Sequence, residues 1–254
     1  MMAASLWQTI RVGLVLALMC AFASCGGRPA ASSDVCFLVA ASAIDAATDA
    51  AQRFEAQTGH HVVIVPGPTN ALAQQIIEGA RADVFLPANT AWADEVARRG
   101  MAADRCDLLH NDLVLIVPAG NPAAVSAPRD LLDARVHHLA LAGDNVPAGI
   151  YAGQALRSLQ LFDLLAARVV RGNDVRATLA WVARGEAEAG VVYATDARSM
   201  AGVSVVYTFA ADSHDRIVYP LMRIRSESAA ADEFYRYLQS DDAATAFRAR
   251  GFRR

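Results

Sequence analysis

Ser42 and Thr69 each stand just after a short apolar run and just ahead of an amphipathic stretch with helical spacing. A hydroxyl placed there can cap free backbone N–H groups, or it can offer its own proton to an anion. Two turns share that setting. Val146-Pro147-Ala148-Gly149 precedes a helical pattern over Ile150–Leu159, and Gly172-Asn173-Asp174-Val175 precedes one over Arg176–Arg184. A helix start presents unpaired N–H donors and a partial positive charge. Several of them converging on one cleft would hold an anion without any Arg or Lys, whereas any one alone is an ordinary cap.

Other constellations are weaker. His60-His61 and His137-His138 invite a metal reading, but neighbours on a strand point to opposite faces, and no HExxH or CxxC spacing occurs. They read as solvated surface. Asp212, His214 and Asp215 could supply acid–base groups to Ser42, yet no G-x-S-x-G elbow is present, so no catalytic residue is assigned. Trp92, Trp181 and Tyr151 read as core or cleft-edge packing. All 23 basic side chains are Arg, which excludes Schiff-base, P-loop and kinase chemistry that needs a Lys amine. A net charge of −3 argues against a nucleic-acid partner. No cofactor is expected.

The elements that would position these groups alternate. Apolar, strand-like runs lie at Val35–Val39, Val62–Val65, Val84–Leu86, Leu113–Val117, Leu139–Ala142, Gly190–Tyr193, Val203–Phe209 and Ile217–Ile224. Between them Ile44, Ala47, Ala51 and Phe54 share one helical face, as do Val175, Leu179 and Val182. With 54% hydrophobic residues and a mean hydropathy of +0.24, the chain can bury a sizeable core. The pattern predicts an α/β fold with largely parallel sheets. No Pro-rich linker follows residue 34, so two lobes would have to be joined by crossing strands, with Leu113–Val117 and Tyr207–Asp212 as candidates.

Residues 1–24 read as a signal peptide, with Arg11 ahead of the apolar run Val12–Phe22. Phe22-Ala23-Ser24-Cys25 resembles a lipobox, which makes Cys25 the expected lipidation site; ordinary secretion is the alternative. Residues 25–34 read as a flexible tether. Cys36 and Cys106 are left in the folded part, where a disulfide and two separate thiols both stand open.

A set of segments then appears in order: Val39-Ala40-Ala41-Ser42, Ala71-Leu72-Ala73-Gln74-Gln75-Ile76, Ala82-Asp83-Val84-Phe85 and Leu108 to Val114. After these come Val146-Pro147-Ala148-Gly149-Ile150-Tyr151-Ala152, Asp174-Val175-Arg176, Gly190 to Ala197, Asp212-Ser213-His214 and Arg250-Gly251-Phe252. From about Val35 to Phe252 the chain resembles the periplasmic molybdate-binding proteins of ABC importers. The resemblance implies the type II periplasmic-binding-protein fold, with lobe one at 35–114 and 213–254 and lobe two at 115–212. It implies a molybdate or tungstate site made by the hydroxyls of Ser42, Thr69 and Tyr193 and the backbone N–H groups of Ala148 and Val175. It also implies a monomer in the periplasm or cell envelope that delivers its ligand to an ABC permease.

Such a ligand suits an uncharged site. A fully deprotonated dianion accepts at every oxygen, so donors alone satisfy it, whereas a protonated phosphate needs an acceptor. The sequence departs from the family at Thr69, usually Ser, at Pro68, which lacks a backbone donor, and at Pro87, where a Ser is usual. These departures bear on selectivity. The alternatives are a binding protein for another tetrahedral oxyanion such as sulfate, or a sensing lipoprotein with no transporter.

Overall fold

The computed structural model describes residues 34–254; the expected leader, Cys25 and the tether up to residue 33 lie outside the described residues. The first half runs β1 (Val35–Ala40), a 3-10 turn (Ala41–Ala43), α1 (Ile44–Thr58), β2 (Val62–Gly67), α2 (Thr69–Ile77), β3 (Val84–Leu86), α3 (Thr90–Arg98) and β4 (Ala102–His110). A second run follows: β5 (Leu113–Pro118), β6 (Leu139–Ala142), α4 (Pro147–Ser158), α5 (Phe162–Leu165), β7 (Val169–Gly172), α6 (Val175–Ala183), β8 (Ala189–Tyr193), α7 (Ala194–Arg198) and β9 (Val203–Thr208). The chain then closes with β10 (Val218–Ile224), α8 (Ala229–Leu238) and α9 (Asp241–Ala249).

Two five-stranded sheets result, ordered β2-β1-β3-β10-β4 and β7-β6-β8-β5-β9. The prediction of largely parallel sheets needs correction. β2, β1 and β3 are parallel, as are β7, β6 and β8, but β10 runs antiparallel to both β3 and β4, and β5 to both β8 and β9. The cause is the path of the chain. It leaves the first sheet after His110 and joins the second at Leu113, then returns after Thr208 to lay β10 inside the first sheet. Leu113–Val117 is therefore a paired strand of the second sheet, and Asn111-Asp112 make the crossing.

Two strands escaped the sequence pattern because charge interrupts them: Asp104, Arg105 and Asp107 in β4 and Arg171 in β7. β4 and β7 are edge strands, and both are only partly buried over most of their length. The apolar signal that marks the buried interior strands is absent there.

The helices pack through small residues and aromatic contacts. α1 buries Ala46, Ala47, Ala50, Ala51 and Phe54 and ends at Gly59, whose φ of 73° suits a left-handed cap. Phe234 of α8 meets Phe37 of β1 edge-on at 5.2 Å and Phe54 at 4.9 Å, which ties the last part of the chain to the first. Cys36 and Cys106 are free thiols. β3 and β10 stand between their strands, so three steps of about 4.8 Å hold β1 and β4 roughly 14 Å apart, far beyond disulfide reach.

Candidate functional site

Every one of the five residues named from the sequence lines one small cavity. Ser42 lies in the 3-10 turn after β1, and Thr69 is the first residue of α2 after β2. Ala148 is the second residue of α4 after β6, Val175 the first of α6 after β7, and Tyr193 the last of β8. All five therefore sit at or just past the carboxyl ends of parallel strands, where open α/β sheets leave a crevice.

The hydroxyls do something other than the capping expected of them. α2 has no side-chain cap, and neither does the turn that holds Ser42. Thr69 Oγ1 instead accepts from the Ala88 N–H at 3.1 Å, which leaves its own proton available. Ser42 Oγ lies 2.9 Å from Tyr219 Oη. The Tyr193 hydroxyl is buried with no hydrogen-bond partner among the described residues. Burial, followed by the neighbouring Tyr219 and Tyr151, pushes its pKa well above the usual value, so it stays a neutral donor.

The α4 start is shaped by close packing. Pro147 opens the helix, where its missing N–H costs nothing and its fixed φ fits. A Cβ on Gly149 would lie 2.2 Å from Gly143 O and 2.4 Å from Ala142 O, so only glycine lets α4 press against the end of β6. That contact holds the Ala148 N–H, which has no intrahelical acceptor, at the cavity. Among the described residues no Arg lines the cavity. Its single carboxylate, Asp174, accepts from the Ala177 N–H at 2.8 Å as the cap of α6.

Charge is kept behind this wall. Arg176 follows Val175 and turns to Asp45 of α1 at 2.7 Å, joining the two lobes. Its Nε also lies 2.8 Å from Asp196 Oδ1, though without the alignment of a hydrogen bond. Burial lifts the Asp196 carboxyl to about 7 against the opposing pull of Arg176. At the rim, Trp92 Nε1 donates to Asn145 O at 3.1 Å, a second tie between the lobes.

The other constellations stay apart from the cavity. His61 pairs with Glu55 at 2.7 Å, and the backbone N–H groups of His137 and His138 both donate to Glu188. Among the described residues no group of three or more His, Cys, Asp or Glu side chains is placed to hold a metal ion. Asp215 accepts from Gln154 Nε2 at 2.6 Å, and His214 packs edge-on against Tyr151.

Sequence reasoning missed Tyr219 and Asn111, which stand behind Ser42. Asn111 Nδ2 lies 3.3 Å from Tyr219 Oη and 2.8 Å from Thr195 Oγ1. One signal was present. Tyr219 is a residue with a polar end inside the fully buried run of β10, and a buried hydroxyl needs a partner.

Known proteins bear on this geometry. Residues 36–253 match the family described as bacterial extracellular solute-binding protein. The molybdate-binding protein ModA of Haemophilus influenzae is 38% identical over 84% of this chain and 87% of its own length. The Escherichia coli protein of the same name is 35% identical over 97% of both chains. Among solved structures, the periplasmic molybdate-binding protein of Azotobacter vinelandii superposes with a TM-score of 0.77 at 25% identity, covering 87% of this chain and 99% of that one.

Proposed function

The chain belongs to the bacterial extracellular solute-binding proteins, and from that premise we propose that it captures molybdate and delivers it to an ABC importer. Tungstate, which has the same shape and charge, is a second ligand of the same site. Ser42, Thr69 and Tyr193 donate from hydroxyls, and Ala148 and Val175 donate from backbone N–H groups. The protein acts by binding rather than by catalysis, as a monomer in the cell envelope, held there by lipid on Cys25.

One observation carries this reading. The Tyr193 hydroxyl is a buried neutral donor with no acceptor among the described residues, on the wall of a cavity that also holds two hydroxyls and two helix starts. A buried donor left unpaired costs roughly 1–3 kcal/mol, and an anion in the cavity would supply its acceptor. Asp174, the carboxylate on that wall, has Oδ1 engaged by the Ala177 N–H of the helix it caps.

Isothermal titration with molybdate, tungstate, sulfate and phosphate tests this directly. Molybdate and tungstate should bind one per chain and more tightly than sulfate, with phosphate weakest. Binding should depend only weakly on salt, because among the described residues no Arg lines the cavity. Tighter binding of sulfate, or failure of both molybdate and tungstate to bind, would replace this reading with the alternative oxyanion.

A further inference from the structure

We infer that Asn111 and Tyr219 form a one-way hydrogen-bond chain that obliges Ser42 to donate into the cavity, and so act as positioning residues selecting unprotonated anions. This rests on reading Ser42 as a ligand of the anion.

The direction of the chain follows from counting protons. The Asp112 N–H donates to Asn111 Oδ1 at 3.0 Å, which fixes the side-chain amide with its NH₂ pointing the other way. That NH₂ has two protons. One goes to Thr195 Oγ1 at 2.8 Å and the other to Tyr219 Oη at 3.3 Å. Tyr219 Oη accepts from Asn111, so its single proton is directed to Ser42 Oγ at 2.9 Å. The proton of Ser42 is then left for the cavity. Thr69 is set the same way, by the Ala88 N–H donating to its oxygen.

Ser42, Asn111, Thr195 and Tyr219 are all buried, Tyr219 completely. Burial also raises the Tyr219 pKa, which keeps its proton in place. Asn111 belongs to the segment where the chain crosses between sheets. The donor direction at the site is thus anchored in the backbone of the crossing itself.

A forced donor meets a fully deprotonated oxyanion well and meets a P–OH group badly, since two protons would face each other. Asn111→Asp should invert the chain. The carboxylate accepts from Tyr219, Tyr219 Oη accepts from Ser42, and Ser42 turns its lone pairs to the cavity. Molybdate affinity near neutral pH should fall by roughly 10- to 150-fold, with phosphate reduced less. The added charge alone would also weaken binding, and a double-mutant cycle separates the two effects. In a Tyr219→Phe background the chain is already cut, so Asn111→Asp should cost much less. Equal costs in both backgrounds would overturn the chain.

Tyr219→Phe by itself keeps the ring and provides a second measurement if the Asp variant does not fold. Freed from its donor, Ser42 can accept, so the ratio of molybdate to phosphate affinity should narrow by roughly tenfold. An unchanged ratio overturns the inference. Ser42→Ala distinguishes the two levels of failure. Normal molybdate binding by that variant would sink the site reading itself, whereas a loss there combined with an additive cycle would sink the chain alone.

Discussion

Helix starts at the cavity differ from helix starts at the far side of the first lobe. α8 and α9 begin at Ser228 and Ser240, whose hydroxyls accept from the Ala231 and Ala243 N–H groups at 3.2 and 3.3 Å. α2 and α4, on the cavity, begin at Pro68 and Val146 with no side-chain cap. Acids in the first turn differ as well. Asp242 of α9 is exposed and held below the usual carboxylate range by Gln57, then Tyr237 and Arg53, while Asp196 of α7 is fully buried and pushed up to about 7. The far helices are completed by their own side chains. At the cavity α6 is capped by Asp174, whereas α2 and α4 leave their first donors open, as a surface kept for a partner would.

The largest expected consequence is in pH. The folded carboxyl of Asp196 titrates near 7 and the unfolded one near 3.9, so between those values the folded state holds a proton the unfolded state has lost. Stability should therefore fall as pH rises from about 4 to about 7. Denaturant unfolding across that range should show the slope, and Asp196→Asn should abolish it. Asp242 has the opposite sign, since its lowered pKa gives stability that is lost only as pH falls through the acid range. A wild-type profile flat from pH 4 to 7 would erase the contrast between the two regions.

Next is Gly149→Ala. The new Cβ must displace backbone at 2.2 Å, which should cost about 3 kcal/mol in thermal unfolding and move the α4 start off the cavity. Ser42→Ala and Tyr193→Phe each remove one donor to a charged ligand, about 1.5–3 kcal/mol or 10- to 150-fold in molybdate affinity by titration. Val175→Ala keeps its N–H and should cost far less. The smallest effect sharpens the contrast from the other side. Ser228→Ala should lose about 1 kcal/mol of stability with the cap, yet leave molybdate affinity unchanged.

Much of this was legible from residue types. The buried strands announced themselves as β-branched runs, and the helix starts after them were read as donors before their convergence was known. Ala148, Val175 and Tyr193 entered through resemblance, because a backbone N–H has no signature in a sequence and Tyr193 is one apolar-looking residue in a buried strand. What stayed hidden depends on the return of the chain. Tyr219 reaches Ser42 across 177 positions, and no local pattern records that pairing. β4 and β7 were missed because charged residues interrupt their apolar positions.

The interleaving of the sheets also sets an order of assembly. All five strands of the second sheet lie between residues 113 and 208, so that lobe can complete its pairing as one continuous piece of chain. The first lobe cannot. β4 is an edge strand whose sheet neighbour is β10, more than a hundred residues later, and until β10 arrives both β3 and β4 expose an unpaired edge. During synthesis or export the later lobe is thus the earlier one to close, and the first waits, half-built, for the end of the chain.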